Sequence, residues 1–336
     1  MDWLIYIGYV AIVAVVVFLS IKLGKYVDVI DNKSNISGAF IGGVMLAAVT
    51  SLPELFTSIS AIFVVKENSM IIGNILGSDL INCAFFGVML LVFFRGLKSA
   101  RFQKFYYIAL GVLAAMYALT ALALAFGSYL RIAWYNVVSV CILVLYVFFI
   151  RKTPKSSESD GESKDEGITL KQAVIRFIIC AVILIAASIA MTYVTDIVAD
   201  KLDLGKTFAG ALFLGVATSL PELISSSTLC YRKNFDAAAG NIIGSNIFNF
   251  MILVVADFLT VTGNSNIYEL NTDSVVLLVL GAVATVVMFC MMLVKNMKKQ
   301  SVGTMLGVQS LNLVMPGLYV LYLLVAVRII TLPFTF

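Results

Sequence analysis

The chain has 336 residues, 61% of them hydrophobic and only 12% charged, and it contains no histidine. Soluble domains sit near 45–50% apolar and about 25% charged, so this composition excludes an ordinary soluble enzyme. Without imidazole there is no Ser-His or Cys-His catalytic pair and no usual zinc or haem ligand. The net charge of +4 signals no nucleic-acid partner, because in a membrane chain the placement of Lys and Arg sets orientation.

In chain order, the apolar run from Trp3 to Leu23 is long enough to span a bilayer and lacks a signal peptide's basic region and cleavage site. It reads as an uncleaved first helix. Further runs near 36–65, 69–94, 104–126, 130–150, 170–198, 207–230, 237–260, 274–294 and 304–330 bring the number to ten. The one polar stretch, Lys155 to Gly167 (KSSESDGESKDEG), reads as a short disordered cytoplasmic linker between halves 1–154 and 168–336. Its acids lack the DxDxDG order of an EF-hand loop. Cys83, Cys141, Cys180, Cys230 and Cys290 form no CxxC pair and are expected to be small buried packing residues.

Connections after odd-numbered helices carry most of the Lys and Arg, while Lys66, Arg131, Lys201, Lys206 and Arg328 fall on the other side. The positive-inside bias therefore places both termini outside, as an even helix count requires. The expected molecule is an all-α polytopic protein of a plasma membrane, such as a prokaryotic inner membrane. Its surroundings are lipid, and no protein partner is readable.

The strongest signal is internal repetition. Thr50-Ser51-Leu52-Pro53-Glu54-Leu55 recurs letter for letter as Thr218-Ser219-Leu220-Pro221-Glu222-Leu223. A second match follows each copy: GNILGSDLIN at 73–82 and GNIIGSNIFN at 240–249. The matched segments fall within 38–94 and 206–260. Five helices per half is an odd number, so equivalent helices cross in opposite directions. Inverted repeats of this kind are a transporter architecture with its site at the midplane between them.

Glu54 and Glu222 fall deep in their spans, where a carboxylate costs a few kcal/mol or more unless compensated. Thr50 and Ser51 precede Glu54 by four and three residues and share its helix face, as Thr218 and Ser219 do before Glu222. Pro53 and Pro221 lack an N–H, so the carbonyls of Val49 and Ala217 are freed and each helix is expected to bend. Asn74, Ser78 and Asn82 form a stripe that adds oxygens, and Asn241, Ser245 and Asn249 form its counterpart. Gly73 with Gly77, and Gly240 with Gly244, let each stripe approach a neighbouring helix. Such hydroxyls and amides can also serve only as packing glue. Two identical intramembrane carboxylates resist that explanation, and the oxygen-only set suits a hard cation, Ca²⁺ or Na⁺. Asp79 lies one step off the stripe. Asp196 and Asp257 fall near helix ends, where interfacial water is expected to serve them.

The paired segments GGVMLAAVTSLPEL with GNILGSDLIN, and GALFLGVATSLPEL with GNIIGSNIFN, resemble the two α-repeats of the sodium/calcium exchanger family, within the cation/calcium exchanger superfamily. The resemblance implies an antiporter that exports Ca²⁺ against inward Na⁺, with no cofactor and four cation sites among the second, third, seventh and eighth helices. It assigns Glu54 and Glu222 as bidentate Ca²⁺ ligands, with Thr50 and Thr218 adding main-chain oxygens. Ser51, Ser219, Ser78 and Ser245 would line the flanking Na⁺ sites, with carbonyls from Ala47 and Gly215. Asn82 and Asn249 take the central positions on the third and eighth helices. The long first and sixth helices would slide across this core.

Many members of that family carry an acid where this chain has Asn249, leaving two core carboxylates here. That charge disfavours a potassium-dependent exchanger and predicts electrogenic exchange if Na⁺ is the counter-ion. A Ca²⁺/H⁺ antiporter on the same scaffold is the second reading, with both glutamates carrying protons, and a passive cation channel is the third. An intramembrane hydrolase lacks any nucleophile and base beyond the two acids.

Overall fold

The computed structural model describes residues 3–33, 48, 50–98, 100–126, 129–132, 135–153, 168–231, 233–260, 267–268, 270–297 and 302–327. Among them are ten main helical segments, besides the four-residue helix Phe94–Leu97. These are α1 (Trp3–Lys33), α2 (Leu52–Val65), α3 (Ser69–Val92), α4 (Phe105–Phe126), α5 (Val137–Lys152), α6 (Leu170–Lys201), α7 (Lys206–Tyr231), α8 (Phe235–Leu259), α9 (Thr272–Lys295) and α10 (Val302–Ala326). Eight are long and apolar enough to cross a membrane; α2 and α5 are shorter. The expected linker 155–167 lies outside the described residues, as do Ala47 and Val49.

Two elements, and the setting of one acidic residue, differ from their sequence-based expectation. The fifth helix starts at Val137 rather than near 130, because Arg131–Ile132 and Tyr135–Asn136 pair as an antiparallel ribbon. Asn136 caps α5 by accepting from Val138 N, and its own N–H donates to Asp257 Oδ2 at 2.8 Å. Ser139 Oγ donates to the same oxygen at 2.7 Å. Asp257 is thus buried and served by protein donors instead of interfacial water, whereas Asp196 pairs with Lys206. The first helix runs ten residues past Leu23, to Lys33.

The two prolines are handled differently. The chain breaks at Ser51 (φ −89°, ψ 11°), so Pro53 sits in the first turn of α2, where no N–H is needed. Pro221 lies inside α7, which stays helical from Gly215 to Tyr231. The irregular turn of α7 is instead a π-helical one at Gly210–Leu214, upstream of the proline. A matching π turn, Ala61–Val65, ends α2. Lys66 and Lys233 follow the two helices with the same left-handed φ of 63°, a conformation uncommon without glycine.

The core is built around α3, which touches α2, α7, α8, α9 and α10. Its glycines permit this. A Cβ on Gly73 would lie 2.0 Å from Thr207 O, and one on Gly77 would lie 2.6 Å from Ala211 Cα. From the other side, a Cβ on Gly210 would lie 2.5 Å from Met70 O. Here α3 and α7 approach backbone to backbone, which only missing side chains allow. Helices α1 and α6 pack along each other and are mostly exposed; α1 reaches α7 and α6 reaches α2. Of the cysteines, Cys83 and Cys230 are buried, Cys180 and Cys290 half-buried, and Cys141 exposed. Uniform burial was therefore the wrong expectation: lipid is as apolar as a protein core, so a membrane helix can leave such a side chain outward.

Candidate cation site

The duplicated hexapeptides meet across the core. Glu54 and Glu222 are 1% and 0% exposed. Ser51 Oγ donates to Glu222 Oε1 at 2.8 Å, and Ser219 Oγ donates to Glu54 Oε1 at 3.4 Å. The hydroxyl of each repeat therefore serves the carboxylate of the other, as a two-fold relation between inverted repeats produces. The second oxygen of each carboxylate, Oε2, is buried without a hydrogen-bond partner. An ionised group left this way is costly, and a bound cation removes the cost.

The second motif divides its work. Asn74 Nδ2 donates to Thr57 Oγ1 at 3.0 Å, Ser58 Oγ at 3.2 Å and Glu54 O at 3.3 Å. Asn241 repeats this with Ser225 Oγ and Ser226 Oγ, both at 2.9 Å, and Glu222 O at 3.4 Å. These two amides were expected to add oxygens to the site. Their nitrogens clamp α3 to α2 and α8 to α7, fixing the backbone at each glutamate, while Asn74 Oδ1 accepts from Thr218 Oγ1 at 3.4 Å and Asn241 Oδ1 is buried without a partner. The hydroxyls they grip follow each glutamate by three and four residues, a register legible once the repeat is extended past the hexapeptide.

Asn82 and Asn249 likewise donate through nitrogen and leave an oxygen without a partner. Asn82 Nδ2 donates to Asn246 Oδ1 and Asn249 Nδ2 to Asp79 Oδ1, each at 2.9 Å, while both Oδ1 atoms are buried without a partner. Glu54 Oε2 of α2, Asn82 Oδ1 of α3, Glu222 Oε2 of α7 and Asn249 Oδ1 of α8 are four such oxygens, and α8 carries two more in Asn241 Oδ1 and Ser245 Oγ. Around them, Ser78 Oγ donates to Gly215 O at 3.2 Å and Thr218 Oγ1 to Leu214 O at 2.8 Å. Thr50 and Ser245 are buried. Of the candidate residues, only Ala47 cannot be placed. Asp79 is itself buried and also accepts from Tyr117 OH at 3.0 Å. Tyr117 belongs to α4, outside both motifs, and nothing in the sequence points to it.

No group of three or more Cys, Asp or Glu that could hold a metal occurs among the described residues. A cation held here would meet two carboxylates and otherwise neutral oxygens, the ligand set of a hard ion.

Comparison with known proteins places this arrangement. The model of the sodium/calcium exchanger protein family matches residues 4–151 and 172–328, taking in both repeats. Inner membrane protein YrbG of Escherichia coli strain K12 is 25% identical over 278 residues, 79% of this chain and 82% of that protein. The crystal structure of the H⁺/Ca²⁺ exchanger CAX superposes with a TM-score of 0.62 at 13% identity, over 96% of this chain and 88% of its own. The sodium-calcium exchanger NCX_Mj, soaked with Na⁺ and Sr²⁺, gives 0.59 at 20% identity, over 98% of this chain and 99% of its own. At these identities the two structures establish a shared fold. Matched across both halves, the chain belongs to the sodium/calcium exchanger protein family.

Proposed function

We propose that the chain is a secondary antiporter exchanging Ca²⁺ against Na⁺ by alternating access. The observation that carries this reading is that the four helices bearing the repeated motifs all hold buried, unpartnered oxygens, two of them carboxylate. Glu54 and Glu222 bind Ca²⁺ with Asn82 and Asn249 beside them and main-chain oxygens of Thr50 and Thr218. Flexible all-oxygen coordination favours Ca²⁺ over Mg²⁺. Ser51, Ser78, Ser219 and Ser245, with carbonyls of Ala47 and Gly215, line flanking Na⁺ sites. Neutral oxygens of this kind serve a monovalent metal ion, whereas a proton needs none. The ions are cargo and no cofactor takes part. The protein sits in a plasma membrane with both termini outside, and Na⁺ entry drives Ca²⁺ export.

The test is Ca²⁺ uptake into proteoliposomes under an outward Na⁺ gradient, an outward H⁺ gradient, or neither. Uptake is expected with Na⁺ alone. Uptake driven by H⁺ and not by Na⁺ makes the protein a Ca²⁺/H⁺ antiporter, and uptake with no counter-gradient makes it a channel. Glu54→Gln and Glu222→Gln should each abolish flux while the protein still elutes as a folded species. Retained Ca²⁺ flux in either variant removes the central assignment.

A further inference from the structure

Position 79 breaks the symmetry of the repeats: α3 has Asp79 where α8 has Asn246. Asp79 is fully buried between α3, α4 and α8. Its Oδ1 accepts from Asn249 Nδ2 at 2.9 Å and its Oδ2 from Tyr117 OH at 3.0 Å. Room for that phenol is left by Gly281 of α9, where a Cβ would stand 2.5 Å from the Tyr117 oxygen. The Tyr117 ring also packs edge-on against Phe250, with centroids 4.8 Å apart.

We propose that Asp79, braced by Tyr117, is a positioning residue that fixes which end of the Asn249 amide faces the cation. The inference rests on the proposed cation site and adds a residue outside its ligand set. An amide has a donor end and an acceptor end of nearly equal size, so its neighbours must choose between them. A carboxyl oxygen facing an amide accepts, and this holds whether or not the other oxygen carries a proton. Asn249 must therefore turn its NH₂ to Asp79, which leaves Oδ1 directed away, unpartnered and buried. The other repeat reaches the same end by another route. The main-chain oxygen of Asp79 accepts from Asn246 Nδ2 at 3.2 Å, so Asn246 offers its Oδ1 to Asn82 Nδ2. Asn82 is left with a free Oδ1 as well. Residue 79 thus sets both amides, one through its side chain and one through its backbone, and only the first is open to substitution.

Asp79→Asn makes the prediction sharp. While Tyr117 goes on donating, the new amide turns its NH₂ toward Asn249, which rotates and aims its own NH₂ at the cation; only a Tyr117 hydroxyl that turns to accept lets the amide keep its oxygen toward Asn249. Half-saturating Ca²⁺ in proteoliposome uptake should rise about 10–100-fold, the usual cost of losing a group that orients a metal ligand. Asn249→Asp alone sets two carboxyls face to face and should also fail. Combining Asp79→Asn with Asn249→Asp restores a donor against an acceptor and again points an oxygen at the ion. Half-saturation should then return to within about threefold of wild type, a coupling that independent sites do not show. Tyr117→Phe keeps the acidic group and frees it to rotate, so it should raise half-saturation without lowering maximal flux, and it serves if Asp79→Asn fails to fold. Unchanged half-saturation in both Asp79→Asn and Tyr117→Phe, or absence of rescue in a folded double variant, overturns the positioning role while wild-type Ca²⁺ flux stands. Absence of Ca²⁺ flux in the wild type overturns the proposed function, and this role with it.

Discussion

Ser51 and Ser219 occupy equivalent positions in identical hexapeptides, yet their bonds to the opposing glutamates measure 2.8 and 3.4 Å. The first has the usual length of a hydroxyl hydrogen bond and the second is longer than that range. Ser51→Ala strips Glu222 Oε1 of a strong donor, and such losses cost about 1–3 kcal/mol. Half-saturating Ca²⁺ should rise roughly tenfold in Ser51→Ala and less than about threefold in Ser219→Ala, on the scale of 1.4 kcal/mol per decade. Equal effects in flux assays would show that the two serines work symmetrically during transport. The duplicated glutamates were legible because an intramembrane carboxylate in a repeated hexapeptide has few explanations. That Asn74 and Asn241 also clamp neighbouring helices was not legible, because residue type does not say what each end of an amide meets.

At the scale of elements, the contact between α3 and α7 sets how closely the second motif of one repeat meets the first motif of the other. Gly73→Ala forces a Cβ to within 2.0 Å of Thr207 O, a backbone atom held by its own helix. Overpacking of that kind costs about 1–3 kcal/mol. The variant should lose thermal stability in detergent, read from the monodisperse fraction after heating, and should lose Ca²⁺ transport with it. Gly111 of α4 has nothing within 4 Å of its would-be Cβ. Gly111→Ala is the control and should be neutral or stabilising by up to about 1 kcal/mol, since alanine is the better helix former. The GxxxG spacing announced a close helix contact. Which helix fills it depends on how the two halves dock, and no local pattern carries that information.

For the molecule as a whole, the paired α1 and α6 flank the core through α7 and α2. Tyr9 OH donates to Phe213 O within the π turn of α7, and the two rings meet edge-on at 5.6 Å. If α1 slides past α7 during transport, this contact must break. Tyr9→Cys with Phe213→Cys, in a background with the native cysteines replaced and joined by a reducible thiol cross-linker, should arrest Ca²⁺ flux until reduction. Full flux in the cross-linked protein would exclude sliding at that point. Charge gives a second whole-molecule expectation. Two core carboxylates balance one Ca²⁺ and are exceeded by three Na⁺, so exchange should carry current. Each net charge moved is worth about 2.3 kcal/mol per 100 mV, a shift of roughly 50-fold in the gradient sustained. Ca²⁺ uptake insensitive to an imposed potential would rule out that stoichiometry.

Composition alone determined that the chain lives in lipid, and the apolar runs located ten helices, because a bilayer of fixed thickness imposes a length and a polarity on whatever crosses it. The letter-for-letter repeat determined the duplication and named both glutamates. Tertiary structure decided what those residues do for one another. Each serine serves the other repeat's carboxylate, Pro221 is absorbed within α7, and Tyr117 is drawn in from a helix outside the motifs. Spacing along a helix is a local property that a sequence displays directly. The direction of a hydrogen bond is a property of two groups, 171 residues apart for Ser51 and Glu222, and only their meeting in the fold decides which one donates.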